Sequence, residues 1–266
     1  MIFGVTRFSV FSPASNAWKA SREMTEEKYK AYLFSKSRLS GRLLIMQKFT
    51  IPNLKRLSEM HKSFHHFITY SRNLPNDVLA SLFSMVSGHD NLHVVEHTLL
   101  MRSIKDIIRT NSSTSAGMYA LFNLDDDDLV AHDYVTKLFE YVNPSFSGWV
   151  VSFGLGISAL FDSERGEFHD FRECHHPKIN IGLAFVNPYA ISADGVDVGC
   201  LDRPRHPIID RERKVVLDSR EFMWVWGRHV DQDTLIYKDA ASSLKAKQDR
   251  MQLVSSEIFE KRFRKG

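Results

Sequence analysis

Asp125, Asp126, Asp127 and Asp128 stand side by side at the end of an apolar run, Met118 to Leu124, and helix-like sequence resumes directly after them. Adjacent carboxylates repel, so a folded chain accommodates four of them where water or a cation neutralises the cluster. All-oxygen ligands suit Mg²⁺ or Mn²⁺ better than zinc or copper. A bare acidic run has a second reading, a solvated loop or a helix N-terminus, with Asp128 capping a segment that starts near Ala131. Here, however, the run interrupts apolar sequence where a buried strand should stop, and open α/β sheets bind ligands at that end of their strands. If strand geometry persists, Asp125 and Asp127 share one side and can hold one divalent cation, leaving Asp126 and Asp128 to ligate, cap or bond backbone. Such a cation can bridge two phosphates and stabilise a departing diphosphate.

The elements that must position this cluster alternate in period. Ile2 to Val10, Phe64 to Tyr70, Leu92 to His97 and Met118 to Leu124 read as strands. Between them, helical spacing marks a stretch from Leu43 to Met60, in which Pro52 starts or kinks a helix, and the segments Asp77 to Val86 and Ser103 to Arg109. This is the signature of βαβ units, hence an α/β fold with a mostly parallel sheet flanked by helices. After the aspartates, His132 to Val142 predicts a helix. Trp149 to Phe161 predicts a strand with bulge or turn points at Gly154 and Gly156, and Glu167 to Arg172 its antiparallel partner. Ile179 to Val186 predicts another strand, before a polar loop from Ser192 to Arg213. The aromatic segment Phe222 to Trp226 and a charged C-terminal helix close the chain.

With 266 residues, 43% hydrophobic and 25% charged, the chain suits one ordinary globular domain. It is expected to divide into two halves, residues 1–130 and 131–238, and a C-terminal helix and basic tail, residues 239–266. A net charge of +3 does not suggest nucleic acid. Lys245, Lys247, Arg250, Lys261, Arg262, Arg264 and Lys265 crowd the C-terminus, either as a solvated helix face or as a peripheral contact with an anionic membrane. Two cysteines, Cys174 and Cys200, are too few for a disulfide framework, and no export signal or bilayer-length apolar run is visible. The expectation is a cytoplasmic protein, with the inner membrane face as a peripheral location.

The run Leu124 to Leu129 resembles the signature of the putative rhamnosyltransferase family. Further pieces follow in the family's order: Thr6-Arg7-Phe8-Ser9, Phe49 to Leu54, Phe64 with Ser71, Gly182 to Val186, and Trp224 with His229 five positions on. Two departures stand out: Asn123 where the family usually has Arg, and Val-Trp-Gly-Arg between Trp224 and His229. The resemblance implies a GT-A-like, Rossmann-type fold with a smaller antiparallel portion in the second half, in which residues 1–130 form the nucleotide-sugar-binding half and 131–238 the acceptor and catalytic half. It also implies a metal-dependent transfer of sugar from a nucleotide-diphosphate donor to a hydroxyl on a glycan or surface-polysaccharide precursor. His229 would then complete a Mn²⁺ or Mg²⁺ site with Asp125 and Asp127; without the resemblance it reads as a hydrogen-bonded histidine beside two tryptophans. Asp125 has donor ribose as its other role. Thr6, Arg7, Ser71, Arg72 and Asp126 would face the nucleotide-sugar, with Arg7 offering its planar fork to the diphosphate or standing as an exposed strand-end arginine.

An inverting transfer needs a carboxylate base. Glu173, Asp194, Asp197 and Asp202 follow the metal motif, and Asp197 and Asp194 rank first because inverting relatives place the base after the strand that Gly182 to Val186 resembles. His89, His93 and His97 have helical ligand spacing, but they fall across a turn and a strand and form no metal face. His65 and His66 should point to opposite faces of a strand, and His175 and His176 read as loop or acceptor-pocket residues. Two rival functions share the acidic cluster: metal-dependent nucleotidyl or phosphoryl transfer, and a non-catalytic glycan-binding scaffold.

Overall fold

Strand-period and helix-period runs become a βα succession in the computed structural model, which describes residues 1–13, 19–199, 205–229 and 240–264. Asp202 and Lys265 lie outside the described residues. Strands β1 (Ile2–Arg7), β2 (Phe64–Tyr70) and β3 (Leu92–Glu96) pair in parallel, and β4 (Ala116–Asn123) runs parallel to β1 on its other side. Helices α1 (Lys19–Glu23), α2 (Glu26–Leu33), α3 (Lys36–Ile45), α4 (Ile51–Met60), α5 (Asn76–Val86) and α6 (Leu100–Asn111) make the crossovers. A π turn, Met46–Thr50, joins α3 to α4, and Pro52 sits in the first turn of α4, where a missing N–H has no helical partner to lose. Ile51, Leu54 and Leu57 of α4 are buried, each contributing about 1.5–3 kcal/mol by leaving water.

The second half adds β5 (Leu129–Val130), α7 (Tyr134–Phe139), β6 (Val150–Phe153), β7 (Leu155–Asp162), β8 (Glu167–His175), β9 (Ala184–Ser192) and β10 (Gly195–Val198). β11 (Val215–Asp218), β12 (Trp224–Arg228), α8 (Ala240–Gln248) and α9 (Ser256–Phe259) follow. Among the described residues the larger sheet has the order β11-β6-β9-β4-β1-β2-β3, with β10 on β9, and the smaller the order β5-β12-β7-β8. β9 runs antiparallel to β4, β6 and β10, while the other pairings of the larger sheet are parallel. The expected mostly parallel sheet with a smaller antiparallel portion is therefore present.

Two expected elements differ. Trp149 to Phe161 is two strands in two sheets, because the chain changes sheet at Gly154, where a Cβ would collide with the Ser219 side chain. The strand expected from Ile179 begins only at Ala184: Lys178 (φ 62°) and Gly182 (φ 66°) are left-handed, which breaks extended geometry and leaves Ile179 and Ile181 in a loop. His65 and His66 do point apart, toward His93 (3.2 Å) and Thr6 (2.9 Å) respectively.

The C-terminal segment is a brace. The Asn53 side-chain amide donates to the carbonyls of Val130 (3.0 Å) and Phe263 (3.3 Å), and Arg56 also donates to Phe263 O (2.8 Å). Arg262 reaches Phe222 O (3.2 Å) and Asp133 (2.9 Å), so one side chain ties the residues flanking β5 to those before β12. Much of the basic tail is engaged in this way: Lys245 pairs with Asp249, Arg262 also with Glu221, and Arg264 with Glu260. No helix among the described residues is long and apolar enough to cross a membrane.

Candidate active site

Central strand β4 ends at the cleft, and its last ladder partner is Val5 O, which accepts from Leu124 N–H (3.0 Å). The aspartates then form a turn where the strand was expected to stop, so strand geometry does not persist through them, with Asp128 N–H donating to Asp125 O (3.1 Å). Aspartate suits turns because its short side chain bonds nearby backbone. The turn carries the chain from the larger sheet to β5 of the smaller one. Alternation between faces is lost: Asp125 is exposed, whereas Asp126, Asp127 and Asp128 are buried.

Each buried aspartate has its own partner. Asp126 ion-pairs with Arg42 of α3, and its carbonyl accepts from the Thr50 hydroxyl (2.9 Å) in the π turn. Burial pushes the Asp126 carboxyl up to about 6 against the pull of Arg42, and neighbouring Asp127 adds to the rise. Asp128 accepts from Gly227 N–H (3.0 Å). Burial, reinforced by Asp127 and Asp125, raises its carboxyl well above the usual range. Gly227 is required here, since a Cβ would collide with the Asp127 carbonyl oxygen. That close approach brings His229, one residue past β12, to Asp127: the imidazole Nε2 donates to Oδ2 at 2.9 Å, and both side chains are 7% exposed.

The turn lies on a cleft of about 470 Å³. One wall comes from the end of β1 and from α2 and α3: Arg7, Ser9, Val10, Tyr29, Leu33 and Arg38, with Arg42 beside the aspartates. Ser9 is left-handed (φ 50°), an uncommon state for a residue with a Cβ, and its hydroxyl accepts from Arg38 (2.9 Å). The second half of the chain contributes His176, Ile179, Asn180, Ile181, His206 and Trp226 to the lining.

The structure thus gathers Arg7, Asp125, Asp126, Asp127 and His229 and separates the remaining sequence-predicted residues from them. Thr6 faces the sheet interior, bonded to His66 (2.9 Å). Ser71 accepts from Phe11 N–H (3.2 Å) and so steadies the loop after β1 without lining the cleft. Arg72 is exposed and paired with Glu96 (3.1 Å). Asp194 and Asp197 are exposed on the β9–β10 hairpin, where Asp197 is opposite Ala190 and Ala190 is opposite Ala116, the first residue of β4. The aspartate turn follows the other end of that strand, roughly 25 Å away at about 3.3 Å per residue. Neither residue can take a proton from an acceptor in the cleft. Glu173 pairs with Ile157 in the smaller sheet, outside the cleft lining.

Arg38 and Arg42 were not among the expected site residues, though they carry a signal. They are spaced four apart on a helix whose Leu39 and Ile45 are buried, and arginines on such a face need an acidic or polar partner. Trp226, Asn180 and His206 offered no comparable spacing, because three separate segments supply them.

The cleft's donor set can be tested against a divalent cation. Among the described residues no three His, Cys, Asp or Glu side chains converge as a metal cage. The Asp127–His229 pair offers one oxygen and one nitrogen, with Asp125 at the same cleft. That fits Mg²⁺ or Mn²⁺ bound through few protein ligands plus substrate phosphates and water.

A mostly parallel sheet whose central strand delivers acidic residues into a cleft defines the architecture, and the class of enzyme, a glycosyltransferase, comes from the family to which the sequence belongs. A family model described as putative rhamnosyl transferase matches residues 1–238, and the chain belongs to that family. No curated protein matches it. Among solved structures it is similar to a putative glucose-1-phosphate thymidylyltransferase from Bacillus anthracis in complex with a sucrose. The identity is 9% and the TM-score 0.38, over 96% of this chain and 98% of that one, a likeness too distant to bear on activity.

Proposed function

We propose that the chain is a divalent-cation-dependent glycosyltransferase that moves a sugar from a nucleotide-diphosphate donor to a hydroxyl of a glycan or polysaccharide-precursor acceptor. The observation that carries this reading is the Asp127–His229 pair, 2.9 Å apart on a cleft that Arg7 also lines. Asp127 and His229 would hold Mn²⁺ or Mg²⁺, and Asp125 would reach the same ion or the donor ribose. Bound there, the cation supplies charge stabilisation for the departing diphosphate. The chain's own residues do the rest. Arg7 offers its planar fork to phosphate oxygens, while Tyr29 and Leu33 give a nucleobase an apolar wall. Asp126 and Asp128 are frame residues that fix the turn between α3 and β12.

Calorimetric titration with UDP, GDP and dTDP, each with and without Mn²⁺, tests the reading. At least one should bind ten times more tightly with the cation, and Asp127→Asn should lose that gain while its circular dichroism spectrum is unchanged. Absence of any cation-enhanced binding would refute it.

A further inference from the structure

Two tryptophans two residues apart on β12 have different surroundings. Trp224 is fully buried, its indole N–H donates to Phe153 O (2.6 Å), and its ring fills the space left by Gly156. That is a core residue. Trp226 is only partly buried, lines the cleft, and its indole N–H makes no hydrogen bond with the described residues. It is nevertheless held in place. The Arg228 guanidinium stacks on the ring, 4.2 Å from its centre, and His176 meets it edge-on at 6.3 Å and 85°. Arg228 is itself buried, so the ring's support is part of the packed interior.

An indole fixed in orientation, presenting apolar carbon and an N–H to a cleft, matches a pyranose ring, whose C–H face is apolar and whose rim is hydroxyl. The surroundings agree. Apart from Arg228 against the ring, the described lining residues of the second half are, with Trp226, His176, Ile179, Asn180, Ile181 and His206, none of them a carboxylate, lysine or arginine. The charged lining residues among those described, Arg7, Arg38, Arg42 and the aspartates, come from other segments: the end of β1, helix α3 and the turn after β4. A diphosphate belongs with the charges, an uncharged sugar with the indole. We propose that Trp226 is the stacking platform of an acceptor subsite for an uncharged hexopyranose, with Asn180 and the two histidines bonding its hydroxyls. This rests on the donor reading above, because the acceptor side is defined by where the diphosphate lies.

Saturation-transfer NMR with a set of methyl hexopyranosides, recorded with Mn²⁺ and the best-binding nucleoside diphosphate present, is the test. Wild-type protein should bind at least one glycoside. Trp226→Ala should bind it at least tenfold more weakly, and Trp226→Phe, which keeps a ring on the platform, within about threefold of wild type. Nucleotide affinity, measured on the same samples, should be the same in all three proteins. Equal glycoside binding by wild type and Trp226→Ala overturns the proposal. So does nucleotide binding without binding of any glycoside, and so does a parallel loss of nucleotide binding in both variants, which would put the ring in the donor site. Failure of wild-type protein to bind any nucleoside diphosphate would instead bring down the donor reading, which the calorimetry reports separately.

Discussion

Gly227→Ala is the sharpest probe of how the aspartate turn and β12 depend on each other. A Cβ at 227 would stand about an ångström inside the closest approach that real Cβ atoms show, and the obstacle is backbone, the Asp127 carbonyl oxygen. Backbone cannot rotate aside as a side chain can, so β12 and the turn must part. Overpacking of this kind costs about 1–3 kcal/mol. Parting by an ångström also stretches the Gly227 N–H bond to Asp128, now 3.0 Å, past hydrogen-bonding range. Leaving that buried carboxyl oxygen without its donor adds about 1–3 kcal/mol, for a total of roughly 2–6 kcal/mol. In a chain of this size that lowers Tm by about 10 °C. His229, two residues on, retreats from Asp127 in the same movement, so Mn²⁺-dependent nucleotide binding should fall with it. Gly148→Ala makes the comparison: its φ of 77° also favours glycine, but nothing stands within 4 Å of the added Cβ, so only the backbone cost, about 1 kcal/mol, applies. Thermal unfolding by circular dichroism and nucleotide calorimetry read both variants. A Gly227→Ala protein no less stable than Gly148→Ala, with wild-type nucleotide affinity, would refute the reasoning.

Arg42→Met leaves Asp126 buried without its cation and should destabilise the protein by about 3–5 kcal/mol in urea unfolding, whereas Arg42→Met with Asp126→Leu should recover most of the loss. Asp194→Asn and Asp197→Asn should each leave kcat within twofold of wild type, because both carboxylates lie at the far end of β4 from the cleft; a hundredfold loss would contradict that placement. His66 is pushed down to about 3 from an ordinary 6.5, chiefly by burial and then by His93, so below pH 6.5 the unfolded chain takes up a proton that the folded chain refuses. Stability from the neutral ring is complete above pH 6.5 and drains as pH falls toward 3, so wild type should lose about 1.4 kcal/mol per pH unit relative to His66→Gln in that window. Parallel stability curves for the two proteins would rule this out.

The first half of the fold was legible because parallel strands buried on both faces read as unbroken apolar runs, and β2 occupies the residues expected of it, Phe64 to Tyr70. The second half was harder, since its strands divide between two sheets. The stretch Trp149 to Phe161 carries no mark of that division except Gly154, and periodicity cannot show which sheet a strand joins. At the site, the acidic run marked its own position but not its shape: a turn and a strand extension place the same four side chains on different faces. His229 entered through resemblance to a family, as nothing local says that a histidine 102 residues downstream meets Asp127. Asp194 and Asp197 were ranked by order along the chain, which the hairpin reverses in space. Arg38 and Arg42 could have been found by asking what two arginines four apart beside buried Leu39 must pair with.

The C-terminal brace also sets an order of events. Asn53 shares its amide between Val130 and a carbonyl 210 residues away from it in the chain, and His132 bonds to Arg262 across 130 residues. Protein synthesis runs from the N-terminus, so the aspartate turn leaves the ribosome long before Arg262 and Phe263 exist to hold its far side. Until then β5 lacks the clamp that Asn53 shares with Phe263, and the nascent chain can build the β1–β4 sheet while its cleft is still unframed. Contacts of such separation close late in folding. Cleft assembly should therefore trail sheet formation, so that a growing chain acquires its fold before its cleft.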